Sequence, residues 1–597
     1  MAKLPIRRIL GVLGACLLSA VLLRLSFPVP GLFPLAWVAL VPWFVVVREQ
    51  RGGMVFLGSA VMGLAAAGLG LSWQFLVTVA GGSGLALYVG FYFPLFAWGV
   101  RDATRRLRVP FVVAAPLVWV GGEYLRSFVI TGFPWYYVGH SQRSFLALVQ
   151  VADLFGAYAV SFVVVAANAF VADLVVARRA GTLRWRRAAA GGGFVAALVA
   201  ATLAYGFARL ATFESREGPR VGIVQGNVPQ DIKNLQTIES IAEIFRDHQR
   251  LTLGLPRGSD GPPLDLALWP ETMVQMPLNR TEYATVREIR TRLAVLSREL
   301  GSPLLIGAYT EYGDDRTIAA EADGVVRRVA DDEIAMDDRV YLLPRPTTDT
   351  PGPKPVRRIL VREGQQVRRG DVLAEFQSIV LNSAYLFRAD TPPERPTDLA
   401  FRYDKNHLVP FGEYVPLKEW LGFLGQVVPF PKGFTPGPRP NLMEAGGRRF
   451  GILICFEDAF PRLVRRYVNR PEGQGAEFLV NISNDGWFRG SHELDQHWSL
   501  CVFRAIEFRI GIVRSVNSGI SGIIHPTGRV QARVTDARGR FKLVEGTAVG
   551  RVHLREGLTV YARIGDVFAL VCLLFGALAL AAGIVMPIAG RLRRRAG

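Results

Sequence analysis

Eight stretches of this 597-residue chain are apolar over lengths that a helix needs, or nearly needs, to cross a hydrocarbon layer of about 30 Å. They fall near 8 to 25, 31 to 47, 54 to 80, 83 to 100, 109 to 127, 151 to 178, 191 to 212 and 564 to 588. A chain of this kind must satisfy its backbone in lipid seven times in succession and then once more after a gap of some 350 residues. The gap, 213 to 562, has mixed polarity, frequent Gly and Pro and short β-branched runs such as 220 to 224, and reads as a domain outside the membrane. The division expected is therefore 1–212 as a seven-helix membrane domain, 213–562 as a catalytic domain, and 563–597 as a closing helix with a basic tail.

The net charge of +19 would suggest nucleic acid in a soluble protein. Here it follows the spans. Lys3, Arg7 and Arg8, then Arg48 and Arg51, then Arg101, Arg105, Arg106 and Arg108, then Arg178, Arg179, Arg184, Arg186 and Arg187, then Arg591, Arg593, Arg594 and Arg595 occupy alternate connections, with Glu49 and Asp102 the acids among them. By the positive-inside rule both termini are cytoplasmic and the 213–562 domain lies on the outer, periplasmic face. The basic balance is a topology signal, and no nucleic-acid partner is expected.

Met1 to Phe27 has the basic start of a signal peptide but no small-residue cleavage site, so it is read as a retained first helix. Between the fifth and sixth windows, Phe133, Trp135, Tyr136 and Tyr137 stand where aromatic interface anchors are expected. Glu123 and Arg126, three residues apart, can pair on one helical face.

Within the outer domain, short apolar runs end in reactive residues. The run 264–269 stops at Pro270 and delivers Glu271; the run 450–454 delivers Cys455; between them lie Lys405 and Glu413. Helical patterns at 240–253 and 282–300 alternate with these strands, which points to a layered α/β domain. A thiol attacks only as thiolate, so Cys455 needs a base such as Glu271, and a developing oxyanion needs a cation such as Lys405. Each alone has a plain structural reading; the combination has a chemical one.

Four cysteines, Cys16, Cys455, Cys501 and Cys572, are too scattered for a disulfide framework. Among the seven histidines only His492 and His497 approach a metal-type spacing, and no metal or other cofactor is expected.

Trp269-Pro270-Glu271, Tyr403-Asp404-Lys405 with the run 407–416, and Ile454-Cys455-Phe456-Glu457 resemble, in order, the Glu, Lys and Cys motifs of the nitrilase superfamily. With the spans, the whole resembles its membrane-anchored branch, the apolipoprotein N-acyltransferase family. That resemblance implies a multi-span α-helical membrane protein with an outer α-β-β-α nitrilase-like sandwich, in a bacterial inner membrane and acting as a monomer. It implies a ping-pong reaction: Cys455, deprotonated by Glu271, takes an acyl chain from a phospholipid such as phosphatidylethanolamine and passes it to the α-amine of a diacylglyceryl-cysteine apolipoprotein. Lys405 would stabilise the oxyanions, Glu413 would hold Lys405 or the amine, and Glu457 would orient the loop after the nucleophile. A membrane-anchored amidase with the same triad is the alternative, and the spans argue against it.

The sequence departs from the family pattern in three places. Lys233 is followed by Asn234 where a Trp is usual, Phe456 replaces a common Tyr, and residues 314 to 377 separate two runs, 304–309 and 379–385, expected to be neighbouring strands. The insertion contains a stretch, 356–373, resembling half of a biotinyl/lipoyl-type barrel, without a lysine in its hairpin.

Overall fold

The computed structural model describes residues 6–256, 263–313, 316–330, 333–337, 339–343, 356–388, 402–414, 433–471 and 474–596. Lys3, Val415, Pro416 and parts of the insertion lie outside them, as do the side chains of the basic tail.

The membrane-type helices are α1 (Ile6–Ser26), α2 (Val41–Glu49), α3 (Gly52–Gly70), α4 (Val79–Arg105), α5 (Phe111–Arg126), α6 (Ala157–Arg179), α7 (Trp185–Thr212) and α8 (Val567–Ala596). Among the described residues six of these, α1, α3, α4, α6, α7 and α8, are long and apolar enough to cross a membrane singly. The expectation of eight uninterrupted spans therefore needs correction at two places. The 31–47 window is a 3-10 turn (Phe33–Trp37) followed by the nine-residue α2, because Pro34 and Pro42 each start a helical segment and cannot continue one. The fifth, α5, has sixteen residues with Pro116 inside.

Both still run the full depth of the bundle. The 3-10 turn starts beside the end of α1, where the Leu32 amide donates to the Leu25 carbonyl, and α2 finishes beside the start of α1, where Arg8 Nε donates to Gln50 Oε1 at 2.9 Å. Backbone groups freed at the break are met by side chains: Asn168 accepts from the Leu40 amide and donates to the Ala36 carbonyl, each at 2.8 Å, and Ser19 Oγ accepts from the Trp43 amide at 2.9 Å. Without such partners an apolar surround would not tolerate the interruption. α5 runs from Phe111, whose ring lies 5.1 Å from the Arg48 guanidinium carbon, to Arg126, whose side chain donates to the Trp135 carbonyl on the outer-domain side. Arg8, Arg48, Arg101 and Arg179 gather at one end through Gln50, Asp173, the Val47 carbonyl and Glu49. α3 and α4 pack closely at Gly63, where a Cβ would stand 2.3 Å from the Gly90 carbonyl oxygen.

The other domain stacks two sheets between helices. In the first, the strands β1 (Glu217–Gln225), β2 (Leu266–Leu268), β3 (Leu304–Tyr312), β4 (Ile379–Phe387), β5 (Arg402–Asp404) and, later in the chain, Gly546–His553 lie in the order β5-β4-β3-β2-β1 and then Gly546–His553, with β1, β2 and β3 parallel. In the second, β6 (Arg448–Ile454), β7 (Phe478–Ser483) and β8 (Gly511–Val516) run parallel. Ile223, Leu268 and Leu386 from the first sheet share a buried core with Ile452, Ile454 and Ile512 from the second. Helices Ile238–Leu253 and Ala284–Leu300 cover the first sheet through Phe245, Leu293 and Leu296 against Trp269 and Ile306, and Glu493–Phe508, completely buried, covers the second. The α-β-β-α sandwich and both helices are those read from the sequence, and the carboxyl ends of parallel β2 and β6 open on one side.

β3 and β4 are antiparallel partners in unbroken register from Leu304 with Phe387 to Tyr312 with Ile379. The insertion leaves from the end of that hairpin and forms two small sheets, of three and four strands, around Val326, Ile334, Met336, Val367 and Leu373, a core of its own.

Candidate active site

Proline and the ends of strands put three side chains into one cavity of about 460 Å3. Glu271 follows β2 after Trp269 and Pro270; Lys405 follows β5; Cys455 follows β6 at φ +52°. A non-glycine residue at positive φ is strained, and a sharp turn at a strand end projects a nucleophile away from the sheet. Burial pushes the Cys455 thiol up to about 12, with Glu271 adding to the rise and Lys405 opposing it. The thiolate therefore forms only when a base takes its proton.

Lys405 is 1% exposed and its ammonium lies 2.8 Å from Glu413 Oε1 and 3.4 Å from Glu271 Oε1. Burial alone would lower its pKa, and Glu413 and Glu271 together raise it above the ordinary value, so the lysine is a fixed cation. Asn382 on β4 donates to both carboxylates, at 2.7 Å to Glu271 and 3.1 Å to Glu413. The Asn484 amide donates to Glu271 Oε2 at 3.0 Å, and the Val409 amide to Glu413 Oε2 at 2.8 Å. Each carboxylate thus has a set orientation.

Glu457 has a different position from the other two. It accepts from the amides of Ile454, Asn406 and His407 and from the Tyr403 hydroxyl, so it ties the strand before the nucleophile to the turn after Lys405. Burial pushes its carboxyl up to about 7, opposed first by the Ile454 amide.

The cavity wall is built from both halves of the molecule. Trp73, Leu85, Tyr88, Phe133 and Trp135 come from the membrane-helix region, and Phe411, Phe434, Phe456 and Phe488 from the sandwich. Trp73 and Trp135 both donate to Gln496 Oε1, and Gln496 donates in turn to the Gly70 carbonyl. A buried ion pair, Arg509 with Asp153 at 2.7 Å, and a buried hydrogen bond from the Ala157 amide to Glu507 at 2.9 Å fix the junction further. A cavity so lined can hold an apolar chain with its end at Cys455.

Comparison with known proteins follows the same division. The model described as apolipoprotein N-acyltransferase N-terminal domain matches residues 19–170, and the carbon-nitrogen hydrolase model matches 367–541. The apolipoprotein N-acyltransferase of Geobacter metallireducens is 32% identical over 571 residues, which is 93% of this chain and 92% of the relative. The chain belongs to the apolipoprotein N-acyltransferase family. The homonymous protein of Methylococcus capsulatus is 29% identical over 97% of this chain and 96% of its own.

In this member of the family, Glu271, Lys405, Cys455 and Glu413 are brought to one cavity, and Glu457 lies directly behind it. Two readings of the sequence are corrected. Phe133, Trp135, Tyr136 and Tyr137 are all buried and are not a belt in lipid: Phe133 and Trp135 stack on Phe456 of the sandwich at 6.2 and 6.0 Å, while Tyr136 stacks on Phe27 and Tyr137 on His140 among the helices. Glu123 and Arg126 do not pair. Glu123 accepts from Trp119 and the Val138 amide, and Arg126 donates to the Trp135 carbonyl and lies over Tyr137, so backbone groups of the 132–138 turn displaced the expected partner.

Asn382, Asn484, Lys233 and His497 line the cavity and escaped notice as site residues. His497 is wholly enclosed. Asp485, Glu493 and His497 bring three possible ligand atoms within 4.8 Å of one another, the geometry of a small cation site. Burial and Arg514 push His497 toward neutrality, but Asp458 and Asp485 outweigh them and hold its pKa well above the usual value. A protonated imidazole donates and cannot ligate, and Arg514, 2.9 and 3.0 Å from Asp485 and Asp458, already supplies the second positive charge. The cluster is an ion-pair network behind the nucleophile. Cys501 donates to Asp458 within it, at 2.9 Å, and lies away from the cavity lining.

Proposed function

We propose that this enzyme N-acylates the N-terminal diacylglyceryl-cysteine of apolipoproteins, taking the acyl chain from a phospholipid through a thioester on Cys455. The observation that supports this most is the single cavity in which Cys455, Glu271 and Lys405 meet aromatic residues of the membrane helices. Glu271 takes the thiol proton; the thiolate attacks the sn-1 ester carbonyl, the carbon–sulfur bond forms, and Lys405 meets the oxyanion. When the carbon–oxygen bond breaks, Glu271 returns the proton to the departing lysophospholipid. A neutral α-amine then attacks the thioester, the carbon–nitrogen bond forms, and its proton passes through Glu271 to the released thiolate. Glu413 keeps Lys405 aimed, and Glu457 holds the turn that carries it. A soluble amide would have no use for this apolar wall, which disfavours the amidase reading.

The test is intact-mass spectrometry of the purified protein after incubation with phosphatidylethanolamine carrying different sn-1 and sn-2 chains. An adduct of the sn-1 acyl mass on Cys455, discharged by a diacylglyceryl-cysteine peptide with a free amine and not by its N-acetylated form, is expected. Absence of the adduct, or its location on another residue, refutes the reading.

The same proposal sets the sandwich, 213–562, on the periplasmic side of a bacterial inner membrane with both termini cytoplasmic, a monomer acting on phosphatidylethanolamine-like donors. A topology reporter joined after Thr182 is expected to behave as cytoplasmic and one at Pro438 as periplasmic; a shared side would break the eight-traverse scheme. The insertion, 314–377, is in this reading an accessory module. Tyr312 and Ile379 are already register partners, so a short Gly-Asn turn can close the hairpin at small entropic cost. Its removal is expected to leave folding and thioester formation in place, and a folded but unacylatable product would make the segment part of the active site.

A further inference from the structure

Lys233 has no part in the mechanism above, yet it is as buried as Lys405. It sits on the short helix Gln230–Leu235 and is 1% exposed, in the wall of the cavity that also holds Glu271 and Cys455. Its ammonium donates to the Glu271 carbonyl at 3.2 Å and to Thr272 Oγ1 at 3.0 Å, two neutral acceptors, and among the described residues no carboxylate pairs with it. Enclosing an ammonium without a counter-ion is costly, so such a lysine calls for a reason.

The charge of the pocket supplies one. Two carboxylates, Glu271 and Glu413, face one fixed cation, Lys405. Moving the thiol proton to Glu271 converts one of these negative charges into a thiolate and leaves the excess unchanged. We infer that Lys233 is the second cation of the reacting pocket, a positioning residue that acts through its neighbours: it pins the Glu271–Thr272 turn and lends the positive charge against which the Cys455 thiolate forms. The inference rests on the nucleophilic role proposed for Cys455. The turn needs a clamp, since Thr272 is held at φ +52°, and Gln275 fixes the helix in return by donating to the Lys233 carbonyl at 2.9 Å. Burial pushes Lys233 down to about 7, with Glu271 and then Cys455 pulling it back up. The remaining groups around Lys233 and Cys455 cannot replace its charge: His248 is pushed by burial down to about 4, Tyr309 is pushed up by burial, Lys405 is shared by its two carboxylates, and His497 is already balanced by Asp458 and Asp485, 3.2 and 3.1 Å away.

Linkage gives the sign. While Lys233 is protonated, below its pKa, the thiolate is favoured; as pH rises through that pKa the support is withdrawn. Alkylation of Cys455 by iodoacetamide, followed by intact mass from pH 6 to 9 against a Cys455→Ala background, should therefore climb, flatten around pH 7 and climb again. Lys233→Met is expected to lack the flattening and to react at least ~10-fold more slowly at pH 6, the effect of removing a neighbouring opposite charge worth about one pKa unit or more. Thr272→Val, which removes one hydrogen bond and keeps the ammonium, is expected to keep the flattening around pH 7 whatever its absolute rate. A folded Lys233→Met with the wild-type profile overturns the inference, and so does a Thr272→Val that copies it, which would leave Lys233 a clamp only. If Lys233→Met does not fold, the unmutated protein decides: an unbroken tenfold rise per pH unit refutes the second cation. Failure of the lipid thioester to form, with the alkylation profile as stated, would instead count against the acyl-transfer reading.

Discussion

Cys455→Ala is expected to abolish the acyl adduct and all transfer while the protein remains folded, because no other thiol can take over. The sulfur sits just past the end of β6, on a strained turn aimed into the cavity, whereas Cys501 is enclosed by Asp458 and Arg514 and Cys16 and Cys572 lie among membrane helices. Burial also dictates how the thiol is used. With its pKa raised to about 12, free thiolate is rare at neutral pH, so the proton must leave in concert with attack and Glu271 must be within reach to accept it. Glu271→Gln can accept from only one of its two donors, the Asn382 side chain or the Asn484 backbone amide, and removes the base, so a loss of about 10²- to 10⁴-fold in thioester formation is expected. The measurement is single-turnover acylation by intact mass. A Cys455→Ala protein that still carries a hydroxylamine-labile acyl group, or a Glu271→Gln protein with an unchanged rate, would remove these residues from the roles proposed. Cys501→Ser, which preserves a donor to Asp458, serves as the control and should acylate normally.

Glu271 and Cys455 were legible because each follows a short apolar run, and local pattern is enough to place a residue at a strand end; Lys405 follows the polar triplet Arg402–Asp404 and was marked only by the resemblance of its motif. What local pattern could not give were partners brought by tertiary structure. Asn382 orients Glu271 from 111 residues away, and Lys233 reaches the Glu271 carbonyl across 38, with no local signature that marks either. The insertion between 314 and 377 was legible as an interruption of neighbouring strands because Tyr309 and Ile379 flank it with matching β patterns, and the register bears that out. Hydropathy located the apolar segments but not their continuity: Pro34 and Pro42 break the second one, and the side chains that make the break tolerable, Asn168 and Ser19, come from other helices. The aromatic residues from Phe133 to Tyr137 were misread for a related reason. An aromatic cluster near a membrane surface suits a lipid boundary and a protein junction equally, and only the packing of Phe456 and Gln496 against it distinguishes them.

Lys405→Met should cost both stability and chemistry, and the two losses can be separated. Removing the ammonium leaves Glu271 and Glu413 buried and sharing Asn382 with no cation between them. Breaking a buried pair from one side typically destabilises by about 3–5 kcal/mol, because the surviving charge is uncompensated. Loss of the oxyanion partner alone is worth about 10²- to 10³-fold in rate. The double substitution Lys405→Met with Glu413→Gln restores the starting balance of charge: the glutamine can keep the hydrogen bond from the Val409 amide, and Glu271 no longer faces a like charge. Thermal melting should therefore recover most of the lost stability in the double variant, while single-turnover acylation stays down by about two orders of magnitude or more, since the ammonium assigned to the oxyanion is gone and Lys233 remains engaged with the Glu271–Thr272 turn. Recovery of the rate along with the stability would mean that Lys405 serves only to neutralise Glu413, and the stabilisation of the tetrahedral intermediate would have to be sought in another donor of the cavity.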